Sequence, residues 1–331
     1  MTLARRTALA ALLFPATVLA TTGSEPLDTL QRRPWRPDAP GIEIALWPAA
    51  THIASPAYPG PEVYGWSKTL IAGKPIQMVQ HVSRPTMAIY PAKGVNTGTA
   101  LLVFPGGGYR VLAIDLEGTE ICDWATAAGM TCAVLKYRVP GSGPYWNDEC
   151  QCRRDPPEPL ALQDAQRAMG LLRQRAAQYG FSPGRVGVLG FSAGGRIVAD
   201  ISNRAARAYP PIDAADHLPS RPDFAVALYP GHLWDGGKNS IHLTVDVKID
   251  AKGPPTFLAQ AGDDATDDVR ESLTYYLALQ QAKVPVEMHL FPEGGHAFGV
   301  RPTDQPITHW TVLAEQWLRH LKMLPAASTQ L

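Results

Sequence analysis

The sequence predicts an α/β chain: a doubly wound, mostly parallel sheet in a single domain, preceded by a proline-rich N-terminal extension. Three observations carry this. From residue 99 onward, short apolar runs alternate with stretches of helical periodicity. One of those runs ends in Gly-x-Ser-x-Gly. The longer irregular stretches follow the carboxyl ends of runs, the edge where open α/β sheets bind ligands. With 45% hydrophobic and 18% charged residues among 331, the chain has enough apolar material for a large core and too little charge for disorder.

Residues 1–20 read as a secretory signal. Arg5 and Arg6 precede an apolar run over 8–20 that closes on small residues, and the run is short of the roughly 20 apolar residues that cross a bilayer. A mature chain from Thr21 would therefore be secreted or periplasmic, without a membrane span. Residues 21–85 form the proline-rich extension packed on the core. Pro34, Pro37, Pro40, Pro56, Pro59 and Pro61 interrupt pieces such as 42–47, which suits extended chain and edge strands because proline removes ladder donors. The catalytic domain spans 86–324, and a tail covers 325–331.

Within that domain the runs 101–104, 131–137, 185–189, 224–229, 256–260 and 286–291 have the continuous apolarity of strands covered on both faces. Between them, Leu162, Ala165, Met169, Leu172 and Ala176 recur at spacings of three and four, placing one apolar stripe on a helix. The stretches 269–283 and 308–321 behave alike. Two longer interruptions, 139–158 and 230–255, follow strands.

Thirty Lys and Arg balance thirty Asp and Glu, so the chain has no electrostatic footprint for nucleic acid. The oligomeric state is left open. Four cysteines, Cys122, Cys132, Cys150 and Cys152, allow three complete pairings in an oxidising compartment, and Cys122 and Cys132 suit buried thiols equally well.

The chemistry centres on Gly190-Phe191-Ser192-Ala193-Gly194, between a strand and a helix-like segment. In that context the turn is tight, its neighbours must be small, and Ser192 projects its hydroxyl above the sheet as a nucleophile. A serine needs a base and an orienting carboxylate. His296, on Gly294-Gly295-His296-Ala297-Phe298-Gly299 after the last strand, is the base. Of the four aspartates in 263–268, Asp264 is the orienter and Asp263 the reserve, while the others cap or begin the next helix. The order serine, aspartate, histidine, at intervals of 72 and 32 residues, excludes the other common serine-triad orders. Phe104-Pro105-Gly106-Gly107-Gly108-Tyr109 supplies oxyanion donors: the amides of Gly107 and Gly108, joined by that of Ala193. Tyr109, Trp146 and Trp234 are candidate substrate contacts; the two indoles lie in loops, where each either stacks on a sugar ring or packs against protein. The histidines form no His-Glu-x-x-His or comparable ligand set, so neither a metal nor an organic cofactor is expected.

On these segments, together with 135–138 and 164–168, the chain resembles the α/β-hydrolase superfamily. Within it, the resemblance is to the small secreted carbohydrate esterases, the acetyl-xylan-esterase and feruloyl-esterase-like group. It implies a serine carboxylic-ester hydrolase of acetylesterase type, acting on acetylated or acylated carbohydrate or another small ester. A generalist short-chain esterase or lipase is the alternative, and an exported binding protein with a vestigial elbow the non-enzymatic one. Three features depart from the pattern: Arg196 stands where many relatives carry His, Ala-Thr-Asp-Asp follows Asp264 instead of an apolar stretch with proline, and 139–158 is a long insertion bearing cysteines.

Overall fold

The computed structural model describes residues 27–56, 60–147, 152–154, 156 and 159–326. The signal segment 1–20 and Cys150 lie outside these residues, and for Trp146 and Cys152 only the backbone is described. The N-terminal extension contributes β1 (Asp28–Gln31), β2 (Ile42–Ala45), β3 (Val63–Ile71) and β4 (Lys74–Gln80). Then come β5 (Thr86–Tyr90), β6 (Ala100–Phe104), β7 (Val111–Ala113), helix α1 (Glu120–Ala127) and β8 (Thr131–Lys136). A short hairpin, β9 (Tyr145–Asn147) with β10 (Cys152–Arg154), leads to α2 (Leu160–Gln174), β11 (Val186–Phe191) and α3 (Ala193–Asn203). The chain closes with β12 (Ala225–Leu228), β13 (Thr256–Ala261), α4 (Arg270–Gln281), β14 (Val286–Phe291) and α5 (Trp310–His320).

Eight of the strands form one sheet in the order β14-β13-β12-β11-β6-β8-β5-β2. Pairing is parallel from β14 to β8; β5 runs antiparallel to β8, and β2 antiparallel to β5. Every residue of β6, β8, β11, β12 and β13 is buried, as their unbroken apolarity requires of strands covered on both faces. The run 286–291 departs from that expectation. As the terminal strand, β14 is only half-buried, with Leu290 exposed.

The extension is more ordered than its prolines suggest. Besides lending β2 to the edge of the main sheet, it builds with β7 a second antiparallel sheet, β1-β3-β4-β7. Ala72 and Gly73, both at positive φ (47° and 74°), make the two-residue turn that joins β3 to β4, a primed geometry that matches strand twist.

Two sequence segments quoted for the resemblance meet in a buried ion pair. Arg138, just past β8, lies 2.8 Å from Asp164 of α2, both side chains being fully buried. Asp164 also accepts the Trp47 indole N–H at 2.8 Å, and Arg138 donates to the Ala54 carbonyl and to Gln163 Oε1. Breaking one partner of such a pair leaves an uncompensated buried charge.

Cys122 of α1 and Cys132 of β8 form a disulfide with Cα atoms 5.3 Å apart, which resolves two of the four cysteines left open by the sequence. It closes a loop spanned by a sequence separation of 10. Chain-entropy reasoning gives such a loop about 2–3 kcal/mol. Replacing both cysteines by Ala is expected to lower the free energy of unfolding in urea by that amount and so to move the midpoint down, and an unchanged midpoint would remove the bridge from the account.

Candidate active site

Ser192 adopts φ 49°, ψ −119°, backbone that a side-chain-bearing residue rarely enters. The glycines at 190 and 194 make it possible. A Cβ on Gly190 would strike the Gly194 carbonyl, and one on Gly194 would strike the carbonyl of Phe104 at the end of β6. The strand-turn-helix element thus lifts Ser192 to the carboxyl edge of the sheet, where its residue exposure is 8%.

The loop after β14 brings His296 to the same edge. Its Nδ1 lies 2.8 Å from Oδ2 of Asp264, whose side chain is fully buried. The other carboxylate oxygen, Oδ1, accepts the amides of Thr266 and Asp267, each at 2.9 Å. One carboxylate therefore fixes both the imidazole and the backbone of its own loop. Asp263, the reserve for this role, instead accepts the Gly295 amide at 2.8 Å, steadying the histidine loop from beside it.

Gly106 lies against the serine, and Gly107 and Gly108 continue the same loop at positive φ. A Cβ on Gly106 would come within 2.9 Å of Ser192 Cβ, and the Tyr137 hydroxyl donates to the Pro105 carbonyl at 2.8 Å. The Gly106 amide is already engaged by Glu117 Oε2 at 2.7 Å. The amides of Gly107, Gly108 and Ala193 donate to no acceptor among the described residues, which leaves those three donors for an oxyanion.

Three residues at the site were missed by sequence reasoning. Asp267 and Asp268 were expected to cap or begin α4. Asp268 does bond the Arg270 amide at 2.9 Å, but the side chain of Asp267 turns the other way: Ser192 Oγ donates to its Oδ2 at 3.1 Å, and that oxygen stands 3.9 Å from His296 Nε2. The Ala-Thr-Asp-Asp departure was the available signal, since a carboxylate there replaces an apolar residue. Glu117, in the π-helical turn Asp115–Thr119, is buried; its Oε1 accepts the Tyr229 hydroxyl at 2.8 Å. Tyr229 in turn packs edge-on against the His296 ring, with centroids 4.8 Å apart. Nothing in the local sequence around Glu117 or Tyr229 marks them.

Electrostatics follow from burial. Burial opposes charging His296, but the hydrogen bond and charge of Asp264, with Asp267 and Glu117 behind, outweigh it and raise its pKa. Burial pushes the Asp267 carboxyl up to about 6, partly offset by His296 and reinforced by Glu271 and Asp264. Glu117 is likewise raised, chiefly by burial, against the pull of His296.

The proposed substrate contacts fare unevenly. Tyr109 is buried, its ring near those of Tyr137 and His232, and it lines a cavity of about 220 Å³ with Arg196 and Leu162, to which neither Ser192 nor His296 contributes. Trp234 is half-exposed, and the Arg270 guanidinium covers one face of its ring at 3.7 Å. The side chain of Trp146 lies outside the described residues. Arg196, the other departure, is buried and pairs with Asp200 and with Asp246 of the 230–255 segment, while donating to the His232 carbonyl at 2.6 Å. It pins that segment to α3.

A family model described as the α/β-hydrolase fold matches residues 101–248, the stretch that carries the glycine loop and the serine turn. The chain has the α/β-hydrolase fold. It is 25% identical over 61% of its length to an acetylxylan esterase of Xylanibacter ruminicola, of which it spans only 42%. It is 27% identical to the esterase LipI of Mycobacterium tuberculosis, over 66% of this chain and 73% of that one. Among solved structures, an acetyl ester-xyloside bifunctional hydrolase from Caldicellulosiruptor lactoaceticus superposes with a TM-score of 0.60 at 29% identity, covering 73% of this chain and 89% of the other. Among the described residues no helix is long and apolar enough to cross a membrane.

Two measurements test the electrostatics and the support. In an NMR titration, the His296 imidazole is expected to protonate with its midpoint above the ordinary value of about 6.5. Asp267→Asn removes one raising charge and should move that midpoint down. Glu117→Ala leaves the Gly106 amide and the Tyr229 hydroxyl without their acceptor, and a loss of about 2–4 kcal/mol in denaturant unfolding is expected; a neutral result would mean that the carboxyl holds neither.

Proposed function

We propose that this α/β hydrolase is an exported serine carboxylic-ester hydrolase that works through an acyl-enzyme and removes acetyl or another small acyl group from plant cell-wall carbohydrate of xylan type. The observation that carries the reading is the meeting, at one sheet edge, of a serine on a strained turn and a carboxylate-oriented histidine, beside a glycine loop and a helix start whose Gly107, Gly108 and Ala193 amides donate to no acceptor among the described residues. In the proposed reaction Ser192 attacks the ester carbonyl while His296 Nε2 takes its proton. Asp264 holds the imidazole in the tautomer that leaves Nε2 basic and stabilises the imidazolium that follows. The Gly107, Gly108 and Ala193 amides receive the oxyanion, His296 returns the proton to the leaving alcohol, and water then releases the acid by the same route.

Carbohydrate preference is supported by the relatives that share the fold, an acetylxylan esterase and an acetyl ester-xyloside hydrolase. The generalist short-chain reading is favoured by one observation: Arg270 occupies a face of the Trp234 ring that a sugar platform would need open. Export is supported by the Cys122–Cys132 bridge, which persists in oxidising compartments.

A fluorophosphonate probe should label Ser192, and Ser192→Ala should abolish both labelling and ester cleavage; labelling at another residue would overturn the assignment. Asp264→Asn should keep the fold and lower kcat by about 10³–10⁴. Acetate release from acetylated xylan, measured against p-nitrophenyl acetate, separates the two substrate readings: preference for the polymer supports the carbohydrate enzyme, and cleavage of the aryl ester alone supports the generalist.

A further inference from the structure

Asp267 is not needed for a serine, histidine and aspartate to work together, yet it is the residue whose side chain touches the serine oxygen. Its Oδ2 takes the hydrogen bond of Ser192 Oγ at 3.1 Å and lies 3.9 Å from His296 Nε2. An oxygen near both of these atoms lies beside the path along which the leaving alcohol receives its proton, on the alcohol side of the ester. The carboxylate is also held there. The Asp267 amide donates to Asp264 Oδ1 at 2.9 Å, its carbonyl accepts from Gln260 Nε2 at 2.6 Å, and both carboxylate oxygens rest on Gly231, where a Cβ would come within 2.7 Å of each.

This placement has a chemical consequence. When Ser192 gives up its proton and becomes acylated, the Asp267 oxygen loses its donor. Its side chain is 12% exposed, and Glu271 and Asp264 nearby add negative charge. A poorly solvated acceptor that loses a partner costs free energy unless another donor replaces it. The alcohol half of the substrate is the group at hand, and a hydroxyl on the carbon next to the ester oxygen is its nearest donor.

We propose that Asp267 is a specificity-determining residue that accepts a hydrogen bond from a free hydroxyl vicinal to the acylated oxygen, so that the preferred substrates are monoesters of diols, as in partly acetylated sugars. This rests on the esterase reading above and narrows it. Acyl transfer itself is unchanged: the proton still passes from Ser192 to His296 and on to the leaving oxygen, and Asp267 gains only the hydroxyl it receives. The same carboxylate turns away apolar alcohols, which would leave it without a donor.

The test compares trans-2-hydroxycyclohexyl acetate with cyclohexyl acetate on the native protein. These esters differ only in the vicinal hydroxyl. The expected result is a kcat/KM at least about tenfold higher for the hydroxy ester, in line with sites built to bond a substrate hydroxyl. In Asp267→Val the ratio should collapse towards one, while Asp267→Asn, which keeps a carbonyl oxygen, should retain part of it. Equal kcat/KM values in the native protein, a ratio unchanged in Asp267→Val, or cleavage of p-nitrophenyl acetate alone would overturn the proposal. The substrate pair needs no variant, so it decides even if a substitution prevents folding. Should Ser192 resist fluorophosphonate and all three esters go uncleaved, the esterase reading falls as well; equal cleavage with Ser192 labelled sinks the role of Asp267 alone.

Discussion

Ser192 occupies backbone space that costs a non-glycine residue on the order of 1–3 kcal/mol, and the rest of the site is arranged around that one residue. The strain persists because neighbours on every side leave no alternative. β11 is paired on both edges, to β6 and to β12, and the first turn of α3 packs so closely on the end of β6 that position 194 admits no side chain. The Ser192 amide donates to the Leu228 carbonyl at 3.1 Å, and its carbonyl accepts from Gly195 and Gly231. The conformation is thus a property of the central sheet and not of the five-residue motif by itself.

Four carboxyl groups surround the site, and their tasks differ by what each touches. Asp264 holds the imidazole, Asp263 holds the loop that carries it, and Glu117 joins the glycine loop to the tyrosine behind the histidine. Asp267 faces the serine oxygen. The charges of Asp264, Asp267 and Glu117 keep His296 basic despite burial, while burial itself is the main cause that raises Asp267, with Glu271 and Asp264 adding to it.

The parallel core was legible from residue 99 onward because each strand there is covered on both faces and carries an unbroken apolar run that chance seldom produces. That Ser192, Asp264 and His296 would come to the carboxyl edge of one sheet was legible for a related reason: each lies within five residues of the end of a recognisable strand. What escaped was set by long-range packing. Glu117 meets Tyr229 across 112 positions and Asp267 meets Ser192 across 75, and no local pattern encodes either encounter. The small sheet of the extension escaped too, since β1 and β3 are largely polar on their open side and prolines around them read as irregular chain. Asp267 was visible as a departure from an apolar pattern, but helix-capping offered it a sufficient explanation.

Arg301 lies five positions beyond His296 and is almost wholly buried. It grips the Glu120 carboxylate at 2.8 Å, reaches Asp115 at 3.2 Å, and donates to the carbonyls of Ile71, Lys74 and Pro75 around the β3–β4 turn. The hairpin furnished by the proline-rich segment is therefore anchored to the chain that delivers the imidazole. What looks like upholstery on the outside of the catalytic body acts as a guy-rope. A chain trimmed of that segment would lose both β2 from the edge of its main sheet and the carbonyls that Arg301 holds beside the histidine loop.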